Sequence, residues 1–150
     1  MEALADQIIP PDQDPGGAWA GVANFVDRQL TGHYKEQSKF YRAGLAALDQ
    51  TAVKLHGKPF AELAGEQQTA LLETLETGKA PGEFWKEISS RDFFRMVTDH
   101  SMQAYYGDPR HGGNRDYVSW KMLGVSTPPV RGRDQYDFTS QAPPEKGGTS

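Results

Sequence analysis

The residue types best suited to chemistry in this chain cluster between positions 99 and 114. Asp99 and His100 are adjacent, and Asp108 and His111 lie in the segment that follows. Carboxylates and imidazoles of this kind can hold a metal ion, but the two histidines are not spaced at i and i+4 as on the helix of a metalloprotease. The favoured interpretation is a surface histidine, His100, and a loop histidine, His111, each satisfied by hydrogen bonds.

Gly112, Gly113 and Asn114 raise a second possibility, a backbone cradle for phosphate. The sequence lacks the preceding strand and the Gly-Lys-Ser/Thr run that a P-loop needs. A tight loop is favoured instead, because glycine adopts positive φ at no steric cost and asparagine tolerates it better than most residues. Nothing in the sequence gives a nucleophile elbow, or a nucleophile paired with a base that has a defined neighbour. The sequence therefore predicts no catalytic, cofactor-binding or metal-binding residue.

The segment from Tyr105 to Asn114 is rich in residues that fix the shape of a backbone. Pro109 restricts its own φ and moves Asp108 out of the helical region, so a helix that enters this segment should end near Gly107. The Asp108 carboxylate can accept a hydrogen bond from a nearby backbone amide. Trp120 supplies a large apolar body to cover the turn. An ordered loop is predicted here.

Apolar residues at helical spacing predict the elements that carry this loop. The predicted helices bear Trp19, Val22, Ala23, Val26 and Leu30; then Tyr41, Leu45, Leu48, Ala52 and Leu55; then residues 66–77; then Phe84, Trp85 and Ile88; and finally the run capped by Ser89 that reaches about Tyr106. A short turn or helix should follow over 117–123. No segment alternates as a strand does. Residues 1–125 are predicted to be one all-α bundle of about five helices.

Composition narrows the function classes. The chain has 150 residues, no cysteine and a formal net charge of −4. Without cysteine it cannot hold an iron–sulfur cluster, a thioether-attached haem or a disulfide. The sequence contains no block of basic residues that would indicate nucleic-acid binding. No apolar run reaches the roughly 18 residues of a membrane span.

The last segment, 126–150, differs in chemistry from the rest. Two Pro-Pro pairs flank a polar stretch, and no apolar face is present to offset the entropy of ordering. Alone, the segment is predicted to be extended or disordered. On a partner it could lie as a strap, with Tyr136 and Phe138 as anchors.

Four motifs in order resemble the gluconate 2-dehydrogenase subunit 3 family, over about residues 4–125. The most specific match reads Tyr106, Asp108-Pro109, Gly112-Gly113-Asn114, Trp120-Lys121 and Gly124. The others are Ile8-Ile9-Pro10 with residues 14–18, 22 and 25–27; Phe60 to Leu63 with Gln67-Gln68 and Leu71-Leu72; and Phe93-Phe94. His111 stands where the family often has tyrosine.

The resemblance implies a non-catalytic small subunit of a bacterial FAD-dependent dehydrogenase. The partner would be a flavoprotein of the glucose-methanol-choline type that oxidises a sugar or sugar acid. A multihaem cytochrome c usually forms a third subunit and passes electrons to quinone. The small subunit would support folding, maturation and export of the flavoprotein, in the periplasm and at the inner membrane through its partners.

Two further expectations follow from the resemblance. The family normally carries a twin-arginine export leader; this sequence shows none, so either the leader has been removed or the chain travels with an exported partner. The partner interface is expected to involve or be shaped by the loop, since aromatic residues and arginine are common interface anchors. The expected residues are Tyr105, Tyr106, Asp108, Pro109, Arg110, Gly112, Gly113, Asn114 and Trp120, with Tyr136 and Phe138 in the tail.

Two other classes stay open at this point. A free-standing helical adaptor or escort would leave its client after export, whereas a permanent subunit would co-purify with it at a fixed ratio. A stand-alone enzyme would turn over a substrate by itself and lose that turnover when His100 or His111 is replaced.

Overall fold

A computed structural model describes residues 1–125, and within that range the chain is helical with no strand. The six α-helices are α1 (Glu2–Ile8), α2 (Val22–Leu30), α3 (Ser38–His56), α4 (Gly65–Glu76), α5 (Ser90–Tyr106) and α6 (Val118–Met122). Short 3-10 turns occupy Lys35–Gln37, Phe60–Glu62, Pro109–His111 and Arg115–Tyr117. The all-α prediction is confirmed. No helix in this range is long and apolar enough to span a membrane.

Helix α5 is the centre of the fold, because it packs against each of the other five helices. Its N-terminus is fixed as the sequence predicts: the Ser89 hydroxyl accepts a hydrogen bond from the Asp92 amide at 3.0 Å. Phe93, Val97 and Ala104 of α5 are buried in the main core. The helix therefore delivers its C-terminal end, at Tyr106, as a rigid support for the loop that follows.

Helices α3 and α5 approach closely at Gly44. A Cβ built on Gly44 would lie 2.1 Å from Cδ2 of Phe93, whose ring is almost completely buried. The ring cannot move aside without disturbing the core.

We expect Gly44→Ala to lower the free energy of unfolding by about 1–3 kcal/mol, as overpacked cores do, although alanine is the better helix former. Urea denaturation followed by circular dichroism measures it. Gly82→Ala is the control, because a Cβ there meets nothing within 4 Å. Equal stability of the two variants would contradict the packing argument.

Several predicted elements are corrected. The sequence pattern missed α1, which has only seven residues yet buries Leu4 and Ala5 in the core. Residues 84–88 form bends and not a helix: Trp85 is held individually by a hydrogen bond from its Nε1 to Thr51 Oγ1 at 3.1 Å. Trp85 thus reaches the core through this side-chain anchor and not as part of a helical face.

Two apolar positions in the predicted helix faces are also corrected. Helix α2 begins at Val22, so Trp19 lies in the preceding turn and is exposed. Leu55 is exposed in the last turn of α3. The predicted tail, 126–150, with its anchors Tyr136 and Phe138, lies outside the described residues.

Candidate functional site

The loop between α5 and α6 packs against the turn that precedes α2. The Tyr105 hydroxyl donates a hydrogen bond to the backbone oxygen of Pro15 at 2.7 Å. The Arg115 amide donates to the backbone oxygen of Ala20 at 3.1 Å. Two motifs about ninety residues apart in sequence are thus joined into one structure.

Close backbone approach explains the glycines at this junction. A Cβ on Gly21 (φ +85°) would lie 2.9 Å from the oxygen of Gly112, and a Cβ on Gly113 would lie 2.3 Å from the oxygen of Ala104. Neither contact can be relieved by moving a flexible side chain, since both neighbours are backbone. The Gly pair serves loop geometry, as the sequence analysis favoured.

Asn114 is the residue that locks the loop. It is fully buried and adopts a left-handed conformation, with φ 45° and ψ 46°. Its Nδ2 donates to the backbone oxygen of Gly107 at 2.8 Å, and its Oδ1 accepts from the Ser119 amide at 3.0 Å. One side chain therefore ties the end of α5 to the start of α6.

Asp108 and Arg110 organise the outer part of the loop. The Asp108 Oδ1 accepts from the Arg110 amide at 2.9 Å and caps the 3-10 turn Pro109–His111. Its Oδ2 accepts from Nε of Arg110, also at 2.9 Å. The hydrogen bond to Asp108 and its charge raise the pKa of the Arg110 guanidinium. The arrangement holds the exposed Arg110 guanidinium in a fixed ion pair with Asp108, with Nη2 2.8 Å from Oδ2.

Backbone strain marks the segment after the loop. Asp116 and Tyr117 have φ of 52° and 59°, values that non-glycine residues rarely adopt. The Tyr117 amide donates to the oxygen of Asn114 at 2.9 Å, and the Tyr117 ring lies 5.6 Å from that of Trp120. Such conformations persist only where the surroundings over-determine them, and they cluster at functional sites.

Exposed apolar side chains gather around this rigid framework. We call them, together with Arg110 and the half-buried Trp120, the loop-end surface; its exposed apolar members are Trp19, Tyr106, Met122, Leu123 and Val125. Trp120 connects its parts, because its Nε1 donates to the oxygen of Tyr106 at 2.9 Å and its own oxygen accepts from the Val125 amide at 2.7 Å. Leu123 is 60% exposed.

The predicted interface residues fall into two groups. Tyr105, Gly113 and Asn114 are buried, so they shape the loop and cannot contact a partner. Tyr106 and Arg110 are exposed; Asp108, Pro109, Gly112 and Trp120 are half-buried.

The interface residues predicted from the sequence did not include four members of this surface, namely Trp19, Met122, Leu123 and Val125. The available signal was the apolar run that follows Trp120.

The prediction that His100 is a surface histidine is wrong. His100 is buried on α5, with Nδ1 2.8 Å from the hydroxyl of Tyr41 and its ring stacked on Tyr34 at 4.2 Å. Its neighbours are aromatic rings because it faces α3 and the turn before it. Residues 1–125 contain no group of three or more histidine, cysteine, aspartate or glutamate side chains that could hold a metal ion.

His100 should make stability depend on pH. Burial lowers its pKa from the usual value of 6.5, while the charge of Asp99 on the same helix opposes that shift. The other titratable groups that face it are Tyr34 and Tyr41, and burial raises the pKa of Tyr41. Below about pH 6.5 the unfolded chain binds the proton more readily, so the free energy of unfolding should fall as the pH drops towards the folded-state pKa.

The measurement is urea denaturation at about pH 7.5 and about pH 5.5, for the native chain and for His100→Gln. We expect the free energy of unfolding to fall less between the two pH values in the variant than in the native chain, since the other histidines are common to both chains. Identical losses would contradict the assignment.

One of three comparisons with known proteins found a match. A family model described as gluconate 2-dehydrogenase subunit 3 matches residues 1–127, which include the whole loop and both flanking helices. No curated protein and no solved structure matches the chain significantly. The match spans most of the chain, and the chain therefore belongs to the gluconate 2-dehydrogenase subunit 3 family.

Proposed function

We propose that this chain is the non-catalytic small subunit of a FAD-dependent sugar or sugar-acid dehydrogenase. In this proposal it supports the folding, maturation and export of a catalytic flavoprotein of the glucose-methanol-choline type. The family match supports the assignment to a dehydrogenase complex. The single structural observation that carries it is the loop-end surface, in which exposed apolar side chains are held on a backbone locked by Asn114.

The physical mechanism is burial on a preorganised surface. Trp19, Tyr106 and Leu123 each expose more than a third of their area, and apolar area removed from water contributes about 25 cal/mol per Å². The supporting loop is already ordered by internal hydrogen bonds, so docking should cost little conformational entropy. A subunit that binds only the folded flavoprotein stabilises that folded state by mass action.

The proposal assigns the redox groups to other chains. FAD would be bound by the flavoprotein, and haem c by a third, cytochrome subunit where the complex has one. The complex would lie on the periplasmic side of the inner membrane, held there by the partners. A transient escort is the second candidate, and it uses the same surface.

Co-expression tests the supporting role. The flavoprotein subunit of the same host is produced with and without this chain, and its FAD content and dye-linked dehydrogenase activity are measured per mole of protein. We expect both to be higher when this chain is present. Equal FAD content and activity in the two preparations would contradict the proposal.

A further inference from the structure

A second apolar surface lies in a groove between α4 and α5 that α1 closes at one side. Its floor is formed by Ile8, Leu72, Phe94 and Met102, and its rim on α4 carries Glu73 and Glu76. The cavity volume is about 230 Å³. Small-molecule sites usually occupy about 300–1,000 Å³, so this groove suits one or two side chains of a protein partner better than a whole cofactor.

The groove follows the helices that build it. Leu72 and Glu73 each lie about one turn before Glu76 on α4, and Phe94 and Met102 are two turns apart on α5. Met102 is 39% exposed, although its neighbours on the floor are mostly covered. Methionine adapts its shape to different apolar partners, which makes it common on surfaces that receive helices.

The charge of the rim is negative. Glu73 and Glu76 are exposed, and within residues 1–125 neither forms an ion pair. The nearby Arg91 is engaged elsewhere, since its Nε donates to the backbone oxygen of Glu76 at 3.2 Å and its guanidinium also donates to that of Thr77. Arg95 is paired with Asp92 at 3.4 Å.

We propose that this groove binds an amphipathic helix of a partner protein. The helix would place one or two large apolar side chains between Phe94 and Met102, and a lysine or arginine opposite Glu73 and Glu76. Complementary charge at the rim and apolar burial on the floor are the two components of helix-in-groove recognition. None of these lining residues belongs to the loop-end surface, although Met102 lies one turn before Tyr106 on α5, and the role of the groove does not depend on the proposed subunit function.

Fluorescence anisotropy with a defined probe tests the proposal. The probe is a labelled amphipathic peptide of about 14 residues, with leucine on one face and lysine flanking it, blocked at both ends. A second peptide carries glutamate in place of every lysine. We expect the lysine peptide to bind the full chain with a dissociation constant below about 1 mM, and the glutamate peptide to bind about tenfold more weakly or worse.

Three variants locate the site. Glu73→Gln with Glu76→Gln should raise the dissociation constant about fivefold, and Met102→Gln about threefold. Glu36→Gln with Glu62→Gln removes the same charge from exposed positions outside the groove and should leave binding nearly unchanged.

Other results would overturn the proposal. If both pairs of glutamate substitutions weakened binding of the lysine peptide equally, the peptide would be attracted by net charge alone. If the lysine peptide did not bind at all, the groove would not be a site for such a helix. A dimer of this chain that dissociates in Met102→Gln would identify a second copy as the occupant, in place of a partner helix. Sedimentation velocity without peptide detects that case.

Discussion

Replacing Asn114 with alanine is expected to lower the free energy of unfolding by about 3 kcal/mol. The substitution leaves two backbone groups without their partner, the oxygen of Gly107 and the amide of Ser119, and the latter bond is buried. Each unsatisfied buried group costs about 1–3 kcal/mol. Alanine also has less tolerance than asparagine for the left-handed conformation at φ 45°. Urea denaturation monitored by tryptophan fluorescence measures the loss.

Two further substitutions separate the causes of that loss. Asn24→Ala removes a hydrogen bond to the same loop, from Nδ2 of Asn24 to the oxygen of Gly112, but at an exposed site. It should therefore cost about 1 kcal/mol or less, because water replaces the lost donor. Asn114→Gly relieves the backbone strain and still loses both hydrogen bonds, so it should lie between the native chain and Asn114→Ala. If Asn114→Ala cost no more than Asn24→Ala, the side chain would not be the lock described here.

The double substitution Tyr106→Ser with Leu123→Ser is expected to reduce recovery of the proposed flavoprotein partner in complex by about tenfold or more. Both side chains are exposed on the loop-end surface, at 43% and 60%. Truncating two apolar anchors of an interface removes more than the 1.4 kcal/mol or so that corresponds to a factor of ten. Co-purification through a tag on this chain, with quantification of the flavoprotein, gives the result.

The chain offers a matched control for this experiment. Phe40 and Leu55 on α3 are exposed to a similar degree, 43% and 49%, and do not belong to the loop-end surface. Phe40→Ser with Leu55→Ser should leave recovery close to that of the native chain, and neither pair should alter circular dichroism greatly. If the α3 pair reduced recovery of the flavoprotein more than the loop-end pair does, the interface would lie on α3 and not on the loop-end surface.

Local signals in the sequence were sufficient to predict most of the helices. The Ser89 cap, the glycine that ends α3 with φ 76° and the periodic leucines of α4 act within a few residues of the boundaries they set. Helix α1 escaped because its apolar stripe is too short to show a period. Its burial comes from contacts with α2 and α4, which a local pattern does not contain.

The candidate site was predictable in its residue types and not in its geometry. The sequence identified Asn114 as a turn residue, but its complete burial depends on α5 and α6 meeting through its side chain. The bond between Tyr105 and Pro15 joins segments far apart in sequence, so no spacing rule could have paired them. His100 was misplaced for the same reason, since its partner Tyr41 lies on another helix.

The central claim is that this chain acts by docking and that the redox chemistry takes place in its partner. The most direct measurement is the composition of the complex purified from cells that produce both chains, together with an absorbance scan and activity assay of this chain alone. We expect the two chains in a one-to-one ratio, with flavin in the large one only. Flavin absorbance or oxidation of a sugar substrate by the isolated small chain would contradict the account.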